Sequence, residues 1–223
     1  TSNTTGTRNT AVGYNAMAAN TEGGDNTAFG EAALEDNTSS IRNTALGRAS
    51  LASVSSSSNR HVAIGYAALV SLTGGNENVA VGNECGQAMT SASNNTLVGS
   101  YCGDAITTGA HNTAMGAEAG EQLTNGYSGT FVGFRAGEEC TTAYQTTAVG
   151  AYALDDCTTG IKNTALGWDA GGDVSTGGHN VYVGTQAGNN HQTGSNAIYV
   201  GNGTSAKTTG EYHEKHWSLT EEN

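Results

Sequence analysis

The residues whose spacing most directly suggests chemistry are the four cysteines of this 223-residue chain. Cys85 and Cys102 are 17 positions apart, and Cys140 and Cys157 are separated by the same 17 positions. Residues stacked on neighbouring strands lie about 4.8 Å apart, which is within the Cα separation that a disulfide spans. We therefore predict the disulfides Cys85–Cys102 and Cys140–Cys157 in an oxidising compartment, the alternative being four buried thiols at alanine-like positions.

The other reactive side chains do not form a recognisable catalytic or metal-binding set. No C-x-x-C pair indicates zinc, and the His-Glu-Lys-His segment at 213–216 places its histidines three positions apart, where the H-E-x-x-H signature needs four. The acidic pairs at 138–139 and 155–156 are expected in solvated turns, although their recurrence could also form a weak Ca²⁺ patch. We predict no enzymatic activity, no metal and no cofactor.

Composition restricts the class of partner. The net charge is −12 with only 8 Lys and Arg, so the chain lacks the basic clusters that bind nucleic acid or anionic membranes. The chain has 33 Gly and no Pro, and none of its apolar runs is long enough to cross a bilayer. Because the first residue is Thr1 without a signal-like segment, we expect a piece of a longer protein.

A five-residue motif repeats along almost the whole chain. It reads NTAVG at residues 9–13, and its final Gly returns every 17 positions, with a single 18-residue step between Gly47 and Gly65. So short a unit, dense in Gly, Asn and Thr, is typical of one β-solenoid coil, because helical-hairpin repeats need roughly 30 residues or more. We predict an all-β, parallel β-solenoid (β-roll) of about twelve 17-residue coils over residues 1–205, followed by a cap or linker tail at 206–223.

The position of a residue within the coil predicts the direction in which it faces. The residue before the motif's Gly, as in Val12, is always large and apolar, so we expect it to line the interior together with the residue two positions earlier, as in Thr10. After the Gly, a small residue (Ala16) and then a Leu-type or Gly residue (Met17, Gly86) are expected to form a second apolar cluster, with Gly allowing a tighter turn.

The middle residue of the strand should then face outwards, although it is also apolar. A strand that is apolar on both faces is normally buried on both faces, so we expect identical subunits to pack against this column around an axis. The alternative is a flattened monomeric solenoid that exposes a row of alanines. The predicted interface residues are Ala11, Ala28, Ala45, Ala63, Ala80, Leu97, Ala114, Phe131, Ala148, Ala165, Tyr182 and Tyr199.

Two more columns suggest either a structural or a binding role. The Asn column, which includes Asn9 and Asn26, is expected to form a stacked amide ladder at a coil corner, the alternative being a row of ligand-binding amides. Aromatic residues that directly follow the motif's Gly are candidates for stacking on sugars or partner proteins, unless they fill space between enlarged turns. These aromatic residues are Tyr14, Tyr66, Phe134 and Trp168.

Two copies of the motif carry a family resemblance. HVAIG at residues 61–65 and NVAVG at residues 78–82, each followed three positions on by a small residue, resemble the head repeats of trimeric autotransporter adhesins. The longer NTAVG-x-x-AL form also resembles repeats of phage tail-fibre proteins. The resemblance covers nearly all of residues 3–205 and implies a left-handed β-roll, a homotrimer and a role in a surface fibre, although the coils here are longer than the family's.

These observations predict a structural, non-enzymatic segment of an extracellular fibre that forms a rigid trimeric rod, as a bacterial surface adhesin or a phage tail fibre on the virion. Two alternatives are a glycan-binding receptor-recognition module and a subunit that stacks end to end into a filament. The expected partner is the chain itself, with a cell-surface glycan or host receptor as a second one. Neither nucleic acid binding nor membrane insertion is expected.

Overall fold

The computed structural model describes residues 3–56 and 58–205, which form a single parallel β-solenoid. Each coil contributes one short strand, which pairs in parallel with the strand of the next coil. The prediction of an all-β parallel solenoid is confirmed, while the tail predicted at 206–223 lies outside the described residues. The strands are β1 (Thr10–Val12), β2 (Thr27–Phe29), β3 (Thr44–Leu46), β4 (Val62–Ile64), β5 (Val79–Val81), β6 (Thr96–Val98), β7 (Thr113–Met115), β8 (Thr130–Val132), β9 (Thr147–Val149), β10 (Thr164–Leu166), β11 (Val181–Val183) and β12 (Ile198–Val200).

The sheet keeps one register from end to end. Ala11 pairs with Ala28, its counterpart in the next coil, and the same correspondence holds at each later pair of strands. Ala45 also pairs with Ala63 across the 18-residue step. The additional residue of that coil is therefore accommodated outside the strands.

The strand residues face in the opposite direction from the prediction. The middle residue is buried in β2 through β12, and Phe131 and Tyr182 are both 0% exposed. Val12 and Leu166, expected in the interior, are 47% and 51% exposed, and the Thr10 column lies on the same outer face. The residues below were expected at a subunit interface and instead lie inside the single chain. They are Ala28, Ala45, Ala63, Ala80, Leu97, Ala114, Phe131, Ala148, Ala165, Tyr182 and Tyr199.

The reason for this reversal is that the coil interior is narrow and is filled mainly from the wall opposite the sheet. The second apolar cluster forms as predicted, and Ala33 and Leu34 are both 0% exposed. A Leu-type side chain from that wall leaves room only for Ala on the strand, as at Ala28. Ala11 is the exception, because it lies exposed in β1 at the end of the sheet.

Large strand residues occur where the opposite wall carries Gly. A side-chain carbon added at Gly137 would collide with the ring of Phe131, and one added at Gly86 would come within 3.1 Å of Leu97. Gly171 faces Tyr182 in the same way, at 2.8 Å. The two walls of the coil therefore exchange volume, so that a large residue on one wall faces a small residue on the other.

The expectation that Gly produces a tighter turn at this position is wrong. Met17 and Gly86 both adopt the left-handed conformation, with φ values of 52° and 62°. Gly is required instead at the end of the motif, where Gly13 has a φ of 136° and an added side-chain carbon would meet the carbonyl oxygen of Gly30. The backbones of successive coils approach too closely there for any side chain.

This exchange of volume can be tested by moving a side chain from one wall to the other. Phe131→Ala should lower the free energy of unfolding by about 3 kcal/mol, because it leaves a cavity in a closely packed core. Gly137→Leu in the otherwise unchanged chain should also destabilise, because the new side chain collides with Phe131. The double variant should recover most of the loss in urea-induced unfolding, since Leu154 already faces Ala148 in the adjoining coil with a left-handed φ of 53°.

If the two losses simply add in the double variant, the two walls do not exchange volume. Leu34→Ala is the matched control, because it removes a side chain from the wall without offering a compensating partner. Its loss should not be recovered by Gly137→Leu, which lies several coils away.

Candidate functional site

The outer face of the sheet is a uniform surface that continues through all twelve described strands. It consists of the first and third residue of each strand, which are Thr, Val or Ile in the first column and Val, Leu, Ile, Met or Phe in the third. All are exposed or half-buried, with Phe29 reaching 55%. None of these residues is charged. With a strand spacing of about 4.8 Å, this sheet face is roughly 55 Å long.

Charged residues flank the sheet face at the N-terminal rungs. On one side, Arg8 binds Asp25 of the next coil, and Arg60 Nη1 lies 2.6 Å from Glu77 Oε1. On the other side, the guanidinium of Arg48 reaches Glu31. These ion pairs connect neighbouring rungs, and because they are exposed each contributes little stability. They mark the limits of the apolar surface.

The Asn column forms the predicted amide ladder. Asn26 Oδ1 accepts the backbone N–H of Asn43 at 2.9 Å, and Asn26 Nδ2 donates to the Ser40 carbonyl at 2.8 Å. The same pair of bonds recurs at Asn78 and Asn95. Because both ends of each amide are used within the fold and the side chains are buried, the column is structural and offers no row of ligand-binding amides.

A second ladder of hydroxyl groups was not anticipated. Thr90 Oγ1 donates to the carbonyl of Thr107 at 3.2 Å, and Thr141 Oγ1 donates to that of Thr158 at 2.8 Å. Their recurrence every 17 positions, as in the Asn column, was the available signal.

His61 takes the place of Asn in the amide ladder and is 0% exposed. Its Nδ1 accepts the N–H of Asn78 at 3.2 Å, and its Nε2 lies 2.8 Å from Ser58 Oγ. These contacts fit the neutral ring with its proton on Nε2. Burial lowers the pKa of His61 to about 4. The ladder therefore continues through a histidine whose protonation would lower the stability of the fold.

The aromatic residues singled out in the sequence are all exposed, but the structure separates them into different settings. Tyr14 is 75% exposed at one end of the rod, and Tyr66 lies beside the Arg48 guanidinium, 5.6 Å from its ring centre. Phe134 and Trp168 are brought together by a third ring, Tyr152, that the sequence reasoning missed. Their order along the rod is Phe134, Tyr152 and Trp168.

These three rings form an aromatic cluster with edge-to-face contacts. The ring centres of Phe134 and Tyr152 are 5.4 Å apart, and those of Tyr152 and Trp168 are 6.5 Å apart. Arg135 and Asp169 supply polar groups next to the rings. Tyr152 lies two positions after the motif's Gly, one column away from Phe134 and Trp168, so inspecting a single column could not find it.

Carboxylates accumulate on the wall beyond the aromatic cluster. Asp104, Glu121, Glu138 and Asp155 occupy one column of four successive coils, and we call this column the acidic strip. Burial and the nearby carboxylates raise the pKa of Asp155 to about 7, and burial likewise raises the pKa of Asp104, Glu121 and Glu138. Ionising this strip therefore costs stability, and the cost increases as the pH rises.

Three carboxylates near the strip are close enough to share a cation. Ligand oxygens of Glu118, Glu121 and Glu138 lie within 4.8 Å of one another. Arg135 already lies among them, with Nε 2.6 Å from Glu118 Oε2 and 3.4 Å from Glu138 Oε2. The guanidinium supplies positive charge at the position that a metal would take. The His-Glu-Lys-His segment at 213–216 lies outside the described residues.

Comparisons with known proteins provide no relative. No protein-family model, curated protein or solved structure matches this chain. Within residues 3–56 and 58–205, no helix has the length and apolar character needed to cross a membrane.

The environment of His61 predicts a pH dependence of stability. The pKa in the fold, about 4, is below that of an unfolded histidine, so the unfolded chain binds more protons between the two values. Stability is therefore complete above about pH 6.5 and is lost as the pH falls towards 4, by about 3 kcal/mol. His61→Asn should remove this loss, because Asn occupies the same position in neighbouring coils.

The measurement is urea-induced unfolding of both proteins from pH 7 to pH 4. The acidic strip has the opposite pH dependence, so the quantity to compare is the difference between variant and wild type at each pH. A difference that does not change with pH would show that protons reach His61 freely in the folded protein.

Proposed function

We propose that this chain is a structural, non-enzymatic fibre segment that forms a rigid homotrimeric rod by packing its sheet face against two further copies. The observation that carries this proposal is the continuous, uncharged sheet face, which charged residues flank at the N-terminal rungs. A surface of this size and composition is unusual on a monomer and is typical of an interface. The same proposal includes a left-handed coil and an extracellular position on a cell or virion surface, as the resemblance to adhesin and tail-fibre repeats implies.

The size of the sheet face supports a stable assembly. With its flanking columns it is about 14 Å wide and roughly 55 Å long, which gives about 800 Å² per chain, so that a trimer would bury about 2,400 Å² in total over its three contacts. A flat sheet cannot close on itself, whereas three flat faces can meet around one axis. The proposed interface is thus formed by the first and third residues of each strand, and not by the middle residues that the sequence analysis predicted there.

The ladders support the mechanical part of the proposal. The main chain, the Asn amides and the Thr hydroxyls each bond from one coil to the next along the rod. Bending the rod would stretch all of these bonds on one side. A stack of this kind resists bending and presents few loops to proteases.

Native mass measurement tests the assembly. Wild-type protein should have the mass of three chains, and the double substitution Met115→Lys and Leu166→Lys should give monomers, because charge on the sheet face opposes packing. Both positions are about half exposed in the single chain, at 46% and 51%, so the coil itself should tolerate lysine.

Gln122→Lys with Thr142→Lys is the matched control, since it adds the same charge at exposed positions on other walls. This control should remain trimeric. A wild-type protein that is monomeric at high concentration, or a trimer unaffected by lysine on the sheet face, would refute the proposed interface.

The aromatic cluster favours glycan binding as a second candidate function. Phe134, Tyr152 and Trp168 offer ring faces and edges within 6.5 Å centre to centre, next to charged hydrogen-bonding groups. Aromatic rings with flanking polar groups bind amphipathic ligands such as pyranose sugars. Phe134 and Trp168 directly follow the motif's Gly and lie at the edge of the sheet face.

Screening on a glycan array tests this second function. Trp168→Ala should reduce binding at least tenfold, whereas Tyr14→Ala should not, because Tyr14 is an isolated exposed ring at the far end of the rod. Failure of the wild-type protein to bind any glycan, or equal binding by Trp168→Ala, would refute glycan binding by the aromatic cluster.

A further inference from the structure

Cys85 and Cys102 lie side by side in the core. Both side chains are 0% exposed. Their coils are held together at this point by main-chain bonds, because the N–H of Leu69 binds the Cys85 carbonyl and that of Gly86 binds the Cys102 carbonyl, both at 3.0 Å. Cys85 Sγ donates to the Cys102 carbonyl oxygen at 3.5 Å, and the adjacent Cys102 thiol and burial raise the pKa of Cys85.

Cys140 and Cys157 repeat the arrangement in a different column. Both are 0% exposed, and main-chain bonds of 2.8 Å join the coils on either side of them, from Glu139 to Asp155 and from Thr141 to Thr158. Cys140 Sγ donates to the Leu154 carbonyl oxygen at 3.7 Å, and the adjacent Cys157 thiol and burial raise the pKa of Cys140. The structure contains all four cysteines as thiols.

The rest of each column shows what these positions need for packing. From Ala16 to Ala187 the column of Cys85 otherwise holds Ala or Ser, and the coil after Cys102 has Ala119. The column of Cys140 holds Leu123 in the preceding coil and Val174 after Cys157. Neither column requires sulfur, yet in each column the two cysteines occupy adjacent rungs.

We propose that each pair is a site of covalent modification, at which a low-molecular-weight disulfide oxidises the two thiols to a disulfide that joins neighbouring coils. The thiolate of one cysteine attacks the small disulfide, releases one small thiol and leaves a mixed disulfide. The thiolate of the second cysteine then attacks the protein sulfur and releases the second small thiol. Two electrons pass from each cysteine pair to the small disulfide, and each cysteine gives up its proton.

Burial determines when this exchange occurs. A thiolate must be exposed to react, and the folded coil keeps all four thiols away from solvent. The exchange therefore takes place while neighbouring coils are still open, and closure of the coil then shields the new bond from reductants. The disulfides form during folding and persist afterwards.

The experiment refolds the denatured, reduced full chain with a mixture of reduced and oxidised glutathione, and a parallel sample with reduced glutathione alone. Each sample is then denatured, alkylated with iodoacetamide and weighed by mass spectrometry. The oxidised sample should carry no alkyl groups, and the reduced one should carry one on each of the four cysteines. Peptide mapping should show the links 85–102 and 140–157. The thermal unfolding midpoint of the oxidised sample should be higher by roughly 10 °C.

Cys102→Ala with Cys157→Val is the matched control, because these residues occur in the same columns in the next coils. This variant should fold but should gain no thermal stability from oxidised glutathione. Four alkylated cysteines in the refolded wild type, links between the two pairs, or links between chains would each overturn the proposal.

Discussion

Each coil is held to the next by main-chain hydrogen bonds between corresponding positions, and the rest of the structure follows from this register. The N–H of Thr10 binds the Asn26 carbonyl at 2.9 Å, that of Gly30 binds the Val12 carbonyl at 2.8 Å, and the pattern returns at every rung. A side chain therefore has its own counterpart as a neighbour, about 4.8 Å away. Only residues that tolerate such a neighbour can fill a column, which explains the abundance of Gly, Asn, Thr and Ala.

Carboxylates tolerate such neighbours poorly, and the chain treats them in two ways. In one column, an acid pairs with a base on the next rung, as where Arg8 meets Asp25 and Arg60 meets Glu77. In the acidic strip, like charges stack, and burial together with the nearby carboxylates raises the pKa of Asp155. Burial lowers the pKa of His61, so this residue reduces stability as the pH falls, whereas the acidic strip reduces stability as the pH rises. Stability of the rod thus reflects two opposing pH dependences at separate positions.

Much of the fold could be predicted from the sequence because the period is so regular. The coil, the parallel sheet, the amide ladder and the second apolar cluster all follow from columns of like residues. The face of the strand that lies inside could not be predicted, because the second and third strand residues are both apolar and give no alternation, and the larger one was assumed to be inside. A usable signal did exist between columns, because large strand residues coincide with Gly on the opposite wall. Phe131 lies between Gly120 and Gly137, whereas Ala148 lies beside Leu154.

The candidate sites were harder to predict, because they depend on contacts between columns. Tyr152 joins Phe134 and Trp168 only in the folded coil, and Arg135 places its charge among carboxylates that belong to neighbouring rungs. The cysteine pairs were the exception, since both members of each pair occupy one column. A site built along a column can be found by its period, whereas a site built across columns requires the cross-section of the coil.

The constant register also makes this rod a molecular ruler. Because a residue's neighbour is one coil away, the loop that must be closed to add a rung has the same size at any length, and its entropic cost does not grow. Even the coil with an additional residue keeps Ala45 opposite Ala63. Duplication or loss of one repeat in the gene would therefore change the reach of the rod by about 0.5 nm without altering its cross-section. Length is thus encoded by copy number alone, independently of whatever the surface binds.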